Sequence, residues 1–385
     1  MNRIILIGNG FDLAHGLKTS YNDFIDWIIE SKHIELEKNG YQLNDIDIKY
    51  NKGYFNKNIP IEELKKVFCK NKRTSAVPRI LGENIYYDNN NYGTVEYKNT
   101  FLKLIIQSRY VKGWADIETM FYDELNKLLN NDKTTDNEIN LLNNNFQRII
   151  NLLEIYLTTI KENFNSSEIK DRITSLLNLP IYQSDLSIEF KRNNKPIRGK
   201  FVVAGEEIEA PNVENYDKCL IIDFNYTQII KHYFYENKFH YVNIHGELNN
   251  PDNKMIFGFG DELDDDYIKI EKSRLKGVMN YIKSINYLNT VNYRNVLEFL
   301  EIENYQVFVW GHSCGLTDRT LLNHIFEHNN CAGIKPYYYQ KYDEEAEEHT
   351  NNYIEIVVNI ARNFKNKNKL RDRVVNLDYC EPLIK

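Results

Sequence analysis

The sequence predicts an α/β protein whose mostly parallel sheet carries helices on both faces, and three observations support that expectation. Short β-rich apolar runs alternate with segments of helical period. The first such run meets a glycine-rich turn and then a helix, as a parallel α/β unit requires. No stretch of about 18 uncharged apolar residues interrupts the 385-residue chain, so no membrane-spanning helix and no membrane partner is expected. Hydrophobic residues make up 42% and charged residues 27%, with a mean hydropathy of −0.56, a balance that excludes wholesale disorder. Lys and Arg number 48 against 55 Asp and Glu, a net charge of −7, so no global basic field exists to hold nucleic acid. The five cysteines, Cys69, Cys219, Cys314, Cys331 and Cys380, are scattered and never form C-x-x-C. That argues against a disulfide framework and a tetrathiolate zinc site, and the expected compartment is a reducing cytoplasm.

Arg3 to Ile7 is the first apolar run, too short for the core of a secretion signal. Gly8-Asn9-Gly10 breaks it, and Thr19-Ser20 can cap a helix bearing Phe24, Ile25, Trp27 and Ile28. From about Ser31 to Asn99 the pattern dissolves into Asn, Tyr, Lys and Gly around a short helical piece, Ile61 to Cys69, and predicts an irregular surface insertion. Helical stripes follow at Phe101 to Val111, Ile117 to Leu129 and Ile139 to Phe164. In the last, Leu141, Leu142, Phe146, Ile149, Ile150, Leu153 and Leu157 share one face, read as core packing. Alternation around Asn193-Asn194 and Ala204-Gly205 predicts hairpins between Leu186 and Pro211. Strands are then expected at Cys219 to Phe224, Tyr241 to Ile244, Met255 to Phe257, Gln306 to Trp310, Tyr337 to Tyr339 and Val374 to Leu377. Helices are expected at Gln228 to Tyr235, Arg319 to Glu327 and around Glu344 to Asn363. The expected division is a core of residues 1–30 and 216–385, split by a helical and irregular insertion, 31–215, with a β-hairpin extension.

Open parallel sheets bind ligands at the carboxyl ends of their strands, where the winding reverses. Four such ends carry unusual residues: Gly8-Asn9-Gly10-Phe11-Asp12, Asp223-Phe224-Asn225-Tyr226-Thr227, His245-Gly246-Glu247, and Gly311-His312-Ser313 through Asp318. Gly8 and Gly10 would let backbone amides approach a pyrophosphate, although Leu13 stands where a dinucleotide fingerprint has its third glycine. Asn225 offers donor and acceptor to a ribose hydroxyl or water, or else caps a helix, as Thr227 could. His245 is a general base by its ordinary pKa, or else a buried histidine satisfied by backbone.

Those ends, with Leu6-Ile7-Gly8-Asn9-Gly10-Phe11-Asp12-Leu13-Ala14-His15-Gly16 through Tyr21 and Trp114-Ala115-Asp116-Ile117-Glu118, resemble the bacteriophage abortive-infection AbiH family. That family is similar to the SIR2-like, Rossmann-type NAD-binding fold of sirtuins and antiphage NAD hydrolases. The resemblance implies an antiviral defence effector that binds NAD or a related nucleotide and cleaves its nicotinamide–ribose bond. It implies catalytic roles for Asn225 and His245 and cofactor-binding roles for Gly8, Asn9, Gly10, Phe11, Asp12, Gly311, Ser313 and Asp318. Asp12, Asp116 and Glu118 are candidate carboxylates for the cationic sugar. Thr227 stands where many SIR2-like sequences have aspartate, and the four-cysteine zinc module of the deacylases is missing, so deacylation is disfavoured and no metal is expected. A phage-derived trigger and a homo-oligomer are left open.

Three rivals are written into the same sequence. Gly311-His312-Ser313-Cys314-Gly315 matches the G-x-S-x-G nucleophile elbow, with Asp343 and His349 as the available partners of a serine hydrolase. His324-Ile325-Phe326-Glu327-His328 spells H-x-x-E-H, two zinc ligands one helical turn apart. The basic stretches Lys49 to Arg73, Lys191 to Lys200 and Arg362 to Arg373 keep a nucleic-acid-binding or RNA-cleaving effector in view.

Overall fold

Every residue of the first strand, β1 (Asn2–Ile7), is buried, as a strand covered on both faces must be. The computed structural model describes residues 1–52, 59–69, 85–87, 93–112, 116–165, 170–203, 206–234, 239–264, 266–343 and 348–384. In it β1 is the centre of a five-stranded sheet with β2 (Cys219–Asp223), β3 (His240–Asn243), β4 (Tyr305–Trp310) and β5 (Cys331–Tyr337), in the order β3-β2-β1-β4-β5. All four pairings are parallel, and Ile7 stands beside both Asp223 and Trp310. Three strand ends therefore finish level with one another, and the winding reverses between β1 and β4.

Successive side chains of a strand point to opposite faces. Ile5 and Ile7 accordingly join Ile221, Phe308 and Trp310 in one core, while Ile4 and Leu6 join Leu220, Ile222, Val307 and Val309 in the other. Each such fully buried aliphatic side chain contributes roughly 1.5–3 kcal/mol of transfer free energy.

The backbone groups into two units, one drawn from Met1–Lys18, Leu157–Ile268 and Tyr281–Lys385, the other from Thr19–Tyr156 and Lys269–Asn280. The first holds the parallel sheet. In the second, Ser20 and Asp23 close a reciprocal capping box on the helix Tyr21–Lys38. The helices Thr100–Lys112 and Ile117–Leu129 and most of Asp136–Glu162 also lie there. Phe101, Phe121 and Phe146 meet with ring centroids 4.0 to 6.3 Å apart.

Several expectations need correction. The segment read as irregular after Ser31 continues the helix to Lys38 and then forms a four-stranded antiparallel sheet from Leu43–Asn44, Ile48–Lys52, Ile85–Tyr87 and Gly93–Tyr97. Ile48, Tyr50, Val95 and Tyr97 are buried at alternate positions, but the Lys, Asn and Glu between them hide so short a period. Leu141 does not join its helix's buried stripe: it is 55% exposed. Asn193-Asn194 ends a helix, Ile188–Asn193, capped by Ser187, whereas Arg198–Val203 and Glu206–Pro211 form the second expected hairpin. Met255 to Phe257 forms no strand, and Val374 makes only an isolated bridge to Ile334. A strand, Glu348–Asn351, paired with Gln340–Asp343, precedes the helix Tyr353–Arg362 where one long helix was expected. Trp114, Ala115 and the Ala204-Gly205 turn lie outside the described residues. No described helix is long and apolar enough to cross a membrane.

Candidate active site

The helix α1 (Asn9–Ala14) begins one residue after β1 ends, so its first turn lies against the loop that follows β4. Gly8 donates its N–H to the Trp310 carbonyl at 3.1 Å, Gly10 to Gly311 at 2.8 Å, and Phe11 to Gly8 at 2.8 Å. A Cβ built on Gly10 would stand 2.8 Å from the Gly311 oxygen, and one on Gly8 2.4 Å from the His312 Cα. The glycines thus allow two strand-end backbones to touch, and these three amides are spent within the protein. Phe11 is buried and stacks on Trp310 with centroids 6.5 Å apart.

Asp12, 2% exposed, stands in α1 facing the end of β2. The Asn225 amide donates one hydrogen to the Gly8 carbonyl at 3.0 Å and the other to Asp12 Oδ1 at 2.9 Å. Thr227 Oγ1 donates to Asp12 Oδ2 at 2.6 Å. Neither side chain caps the following 3-10 turn, Ile229–Tyr233, the remnant of the expected helix. With both hydrogens committed, Asn225 presents its amide oxygen, an acceptor for a hydroxyl or water. Alongside, the Asn225 N–H and the Tyr241 hydroxyl donate to the two oxygens of Asp223 at 2.9 and 2.8 Å.

Burial pushes the Asp12 carboxyl up to about 7, against its bonds from Thr227 and Asn225. Burial pushes Asp223 up to about 8, and Asp12 adds to the shift. Both are acids with folded pKa values raised above the ordinary 3.8, so they stay protonated in the folded chain after the unfolded chain has ionised. Their contribution to stability is full below about pH 4 and is lost as pH rises through about 7 and 8. Asp223→Asn is expected to flatten the fall in melting temperature between pH 5 and pH 8. A variant with the parent's slope contradicts this assignment.

A second buried cluster continues from Phe224, whose carbonyl lies 3.1 Å from His245 Nδ1. His245 Nε2 is 3.0 Å from Asp318 Oδ1 and 3.3 Å from the Tyr287 hydroxyl. Lys283, 1% exposed, donates to the same Asp318 oxygen at 2.9 Å, and His312 Nε2 stands 3.7 Å from the other. Burial alone would raise Asp318, but Lys283 and then His245 hold its carboxyl well below the usual range. Burial, followed by Lys283, lowers His245; burial lowers His312 to about 4. The arrangement is a neutral imidazole beside a carboxylate that is ready to stabilise its protonated form.

Gly8, Asp12 and Asn225 therefore meet in one network and His245 and Asp318 in another, with Phe224 adjoining both. Ser313 and Asn9 are exposed. The Ser313 carbonyl accepts from Asn359 at 2.9 Å, while the neighbouring His312 ring enters the Asp318 cluster and accepts the Cys314 N–H at 2.9 Å. The left-handed backbone of the elbow-like segment falls on Gly311 and Cys314, not on Ser313. No histidine among the described residues bonds the Ser313 hydroxyl, and His349 faces Tyr342 in its hairpin. His324 is held by the Tyr293 hydroxyl at 2.6 Å and His328 by Glu301 at 3.1 Å. Asp116 is the N-cap of the helix Ile117–Leu129. Lys283 and Tyr287 were not singled out, because a lone lysine and tyrosine in an aperiodic stretch give no signal.

The parallel sheet carries buried networks of titratable side chains at its carboxyl edge, the edge at which open α/β sheets bind their ligands. The chain belongs to the bacteriophage abortive infection AbiH family, whose family model matches residues 4–340, from within β1 to beyond the end of β5. No curated protein and no solved structure matches it.

Proposed function

We propose that this chain acts in abortive infection as an NAD⁺ hydrolase with a SIR2-like site, converting NAD⁺ and water into nicotinamide, ADP-ribose and a proton. The observation that carries the reading is the pinning of the Asn225 amide between Gly8 and Asp12, at the carboxyl end of β1, the strand on whose other side the sheet's winding reverses. Breaking the nicotinamide–ribose bond builds positive charge at the ribose C1′, so the site must supply fixed acceptors and a placed water. The Asn225 oxygen holds the water or a ribose hydroxyl. His245 accepts the proton released as the C1′–oxygen bond forms, and Asp318 stabilises the resulting imidazolium. Asp12 fixes the orientation of Asn225.

The test is incubation of the purified full chain with NAD⁺ and quantification of released nicotinamide. Asn225→Ala is expected to lower the rate by roughly 10²-fold, the scale for losing one preorganised polar group. His245→Ala is expected to do likewise. Parent-level turnover in both variants removes the assignment.

A further inference from the structure

The two ring nitrogens of His245 stand against two acceptors, the Phe224 carbonyl 3.1 Å from Nδ1 and Asp318 Oδ1 3.0 Å from Nε2. A carbonyl and a carboxylate accept hydrogen bonds and donate none, whereas a neutral imidazole has a single N–H. Left to these two neighbours, His245 would satisfy both only as an imidazolium, already carrying the proton that a general base must take up. We propose that Lys283 is a positioning residue that keeps this ring neutral, by giving Asp318 Oδ1 the donor it would otherwise draw from His245. The inference rests on the cleavage reading above.

Backbone contacts place Lys283 for that task. Its N–H donates to the Phe259 carbonyl at 2.9 Å, beside the isolated bridge between Phe259 and Ile282. A Cβ built on Gly260 would stand 3.0 Å from the Lys283 Cβ, so the lysine stem passes close to this segment. At the end of that stem the ammonium, on a side chain 1% exposed, donates to Asp318 Oδ1 at 2.9 Å. With the oxygen satisfied, the neutral ring finds partners as well: Nδ1–H donates to Phe224, and the lone pair on Nε2 accepts from the Tyr287 hydroxyl at 3.3 Å. Without the ammonium, Oδ1 loses this donor, and a proton on His245 Nε2 is the replacement already within hydrogen-bond distance.

Charge acts in the same direction. Among the described residues, the titratable groups facing His245 are Asp318, Lys283, His312, the Tyr287 hydroxyl and Tyr226, whose ring centroid is 6.1 Å away. Asp318 favours the imidazolium and Lys283 opposes it. His312 adds little charge at neutral pH, because burial lowers it to about 4. Burial and then Lys283 hold His245 below its ordinary 6.5, against the pull of Asp318.

NMR titration of the histidine rings in the full chain, with the His245 signal assigned by His245→Gln, reads this proton without turnover. In the parent, His245 is expected to be neutral at pH 7. Lys283→Met is expected to raise its midpoint by about one pH unit or more, and Lys283→Arg, which keeps the charge, to hold it near the parent's. The acid limb of nicotinamide release is expected to move up with the midpoint in Lys283→Met. A parent His245 that is charged at pH 7 overturns the proposal, whether or not the variants fold. So does an unmoved midpoint in folded Lys283→Met, or an equal shift in Lys283→Arg. An unmoved midpoint in a chain that still releases nicotinamide removes the role of Lys283 and leaves cleavage standing. A midpoint that moves as expected, in a chain that releases no nicotinamide, removes cleavage and leaves the role of Lys283.

Discussion

Gly311→Ala is expected to destabilise the protein by about 4 kcal/mol or more, a loss at the extreme of single substitutions. Gly311 sits at φ +66°, which already costs a residue with a Cβ about 1–3 kcal/mol. The added carbon would stand 2.1 Å from the Phe11 nitrogen and 2.5 Å from the Gly10 carbonyl carbon. Both are backbone atoms, in a turn already fixed by the hydrogen bond from Gly10 to Gly311, so neither can swing aside. Relief requires separating the β1 and β4 loops. Gly315→Ala is the matched control: its φ is −66° and a Cβ would meet only the Ser313 hydroxyl, at 3.6 Å. That change is expected to stay within about 0.5 kcal/mol. Thermal unfolding of the two variants side by side checks the pair, and equal melting temperatures would refute the close approach.

Asp318→Ala carries the second large effect, expected at about 3–5 kcal/mol, the usual cost of stripping one partner from a buried ion pair. Lys283 would be left as a buried ammonium with two imidazoles beside it and its carboxylate gone. Removing both charges is a different matter, because two hydrophobic side chains leave no charge to solvate. Asp318→Leu combined with Lys283→Met is therefore expected to recover much of the loss in urea-unfolding midpoint while abolishing nicotinamide release. A single variant as stable as the parent would contradict the pairing.

The sheet was legible where strands are buried on both faces, because Ile4-Ile5-Leu6-Ile7 and Leu220-Ile221-Ile222 leave no polar alternation to confuse the reading. The helix Arg319–Glu327 was legible from its period. The antiparallel strands of the second unit were not, since Lys49 and Glu96 interrupt runs that only tertiary pairing defines. In the site, Asn225 and His245 were readable as polar residues directly after apolar runs. Asp318 was readable only through the resemblance, and Lys283 not at all, because a buried lysine acquires meaning from a carboxylate 35 residues away. From the sequence alone, Gly8 and Gly10 offer room for a phosphate. Their packing against Gly311 depends on β1 and β4 being neighbours, which no local pattern encodes.

NAD⁺ cleavage is put to the test by cellular NAD⁺ content during phage infection, in cells carrying the parent chain or Asn225→Ala at equal protein level. NAD⁺ is expected to collapse with the parent as infection aborts, and to hold steady in the variant while phage multiply. Infection that aborts with NAD⁺ unchanged, or equally well in both strains, would contradict it.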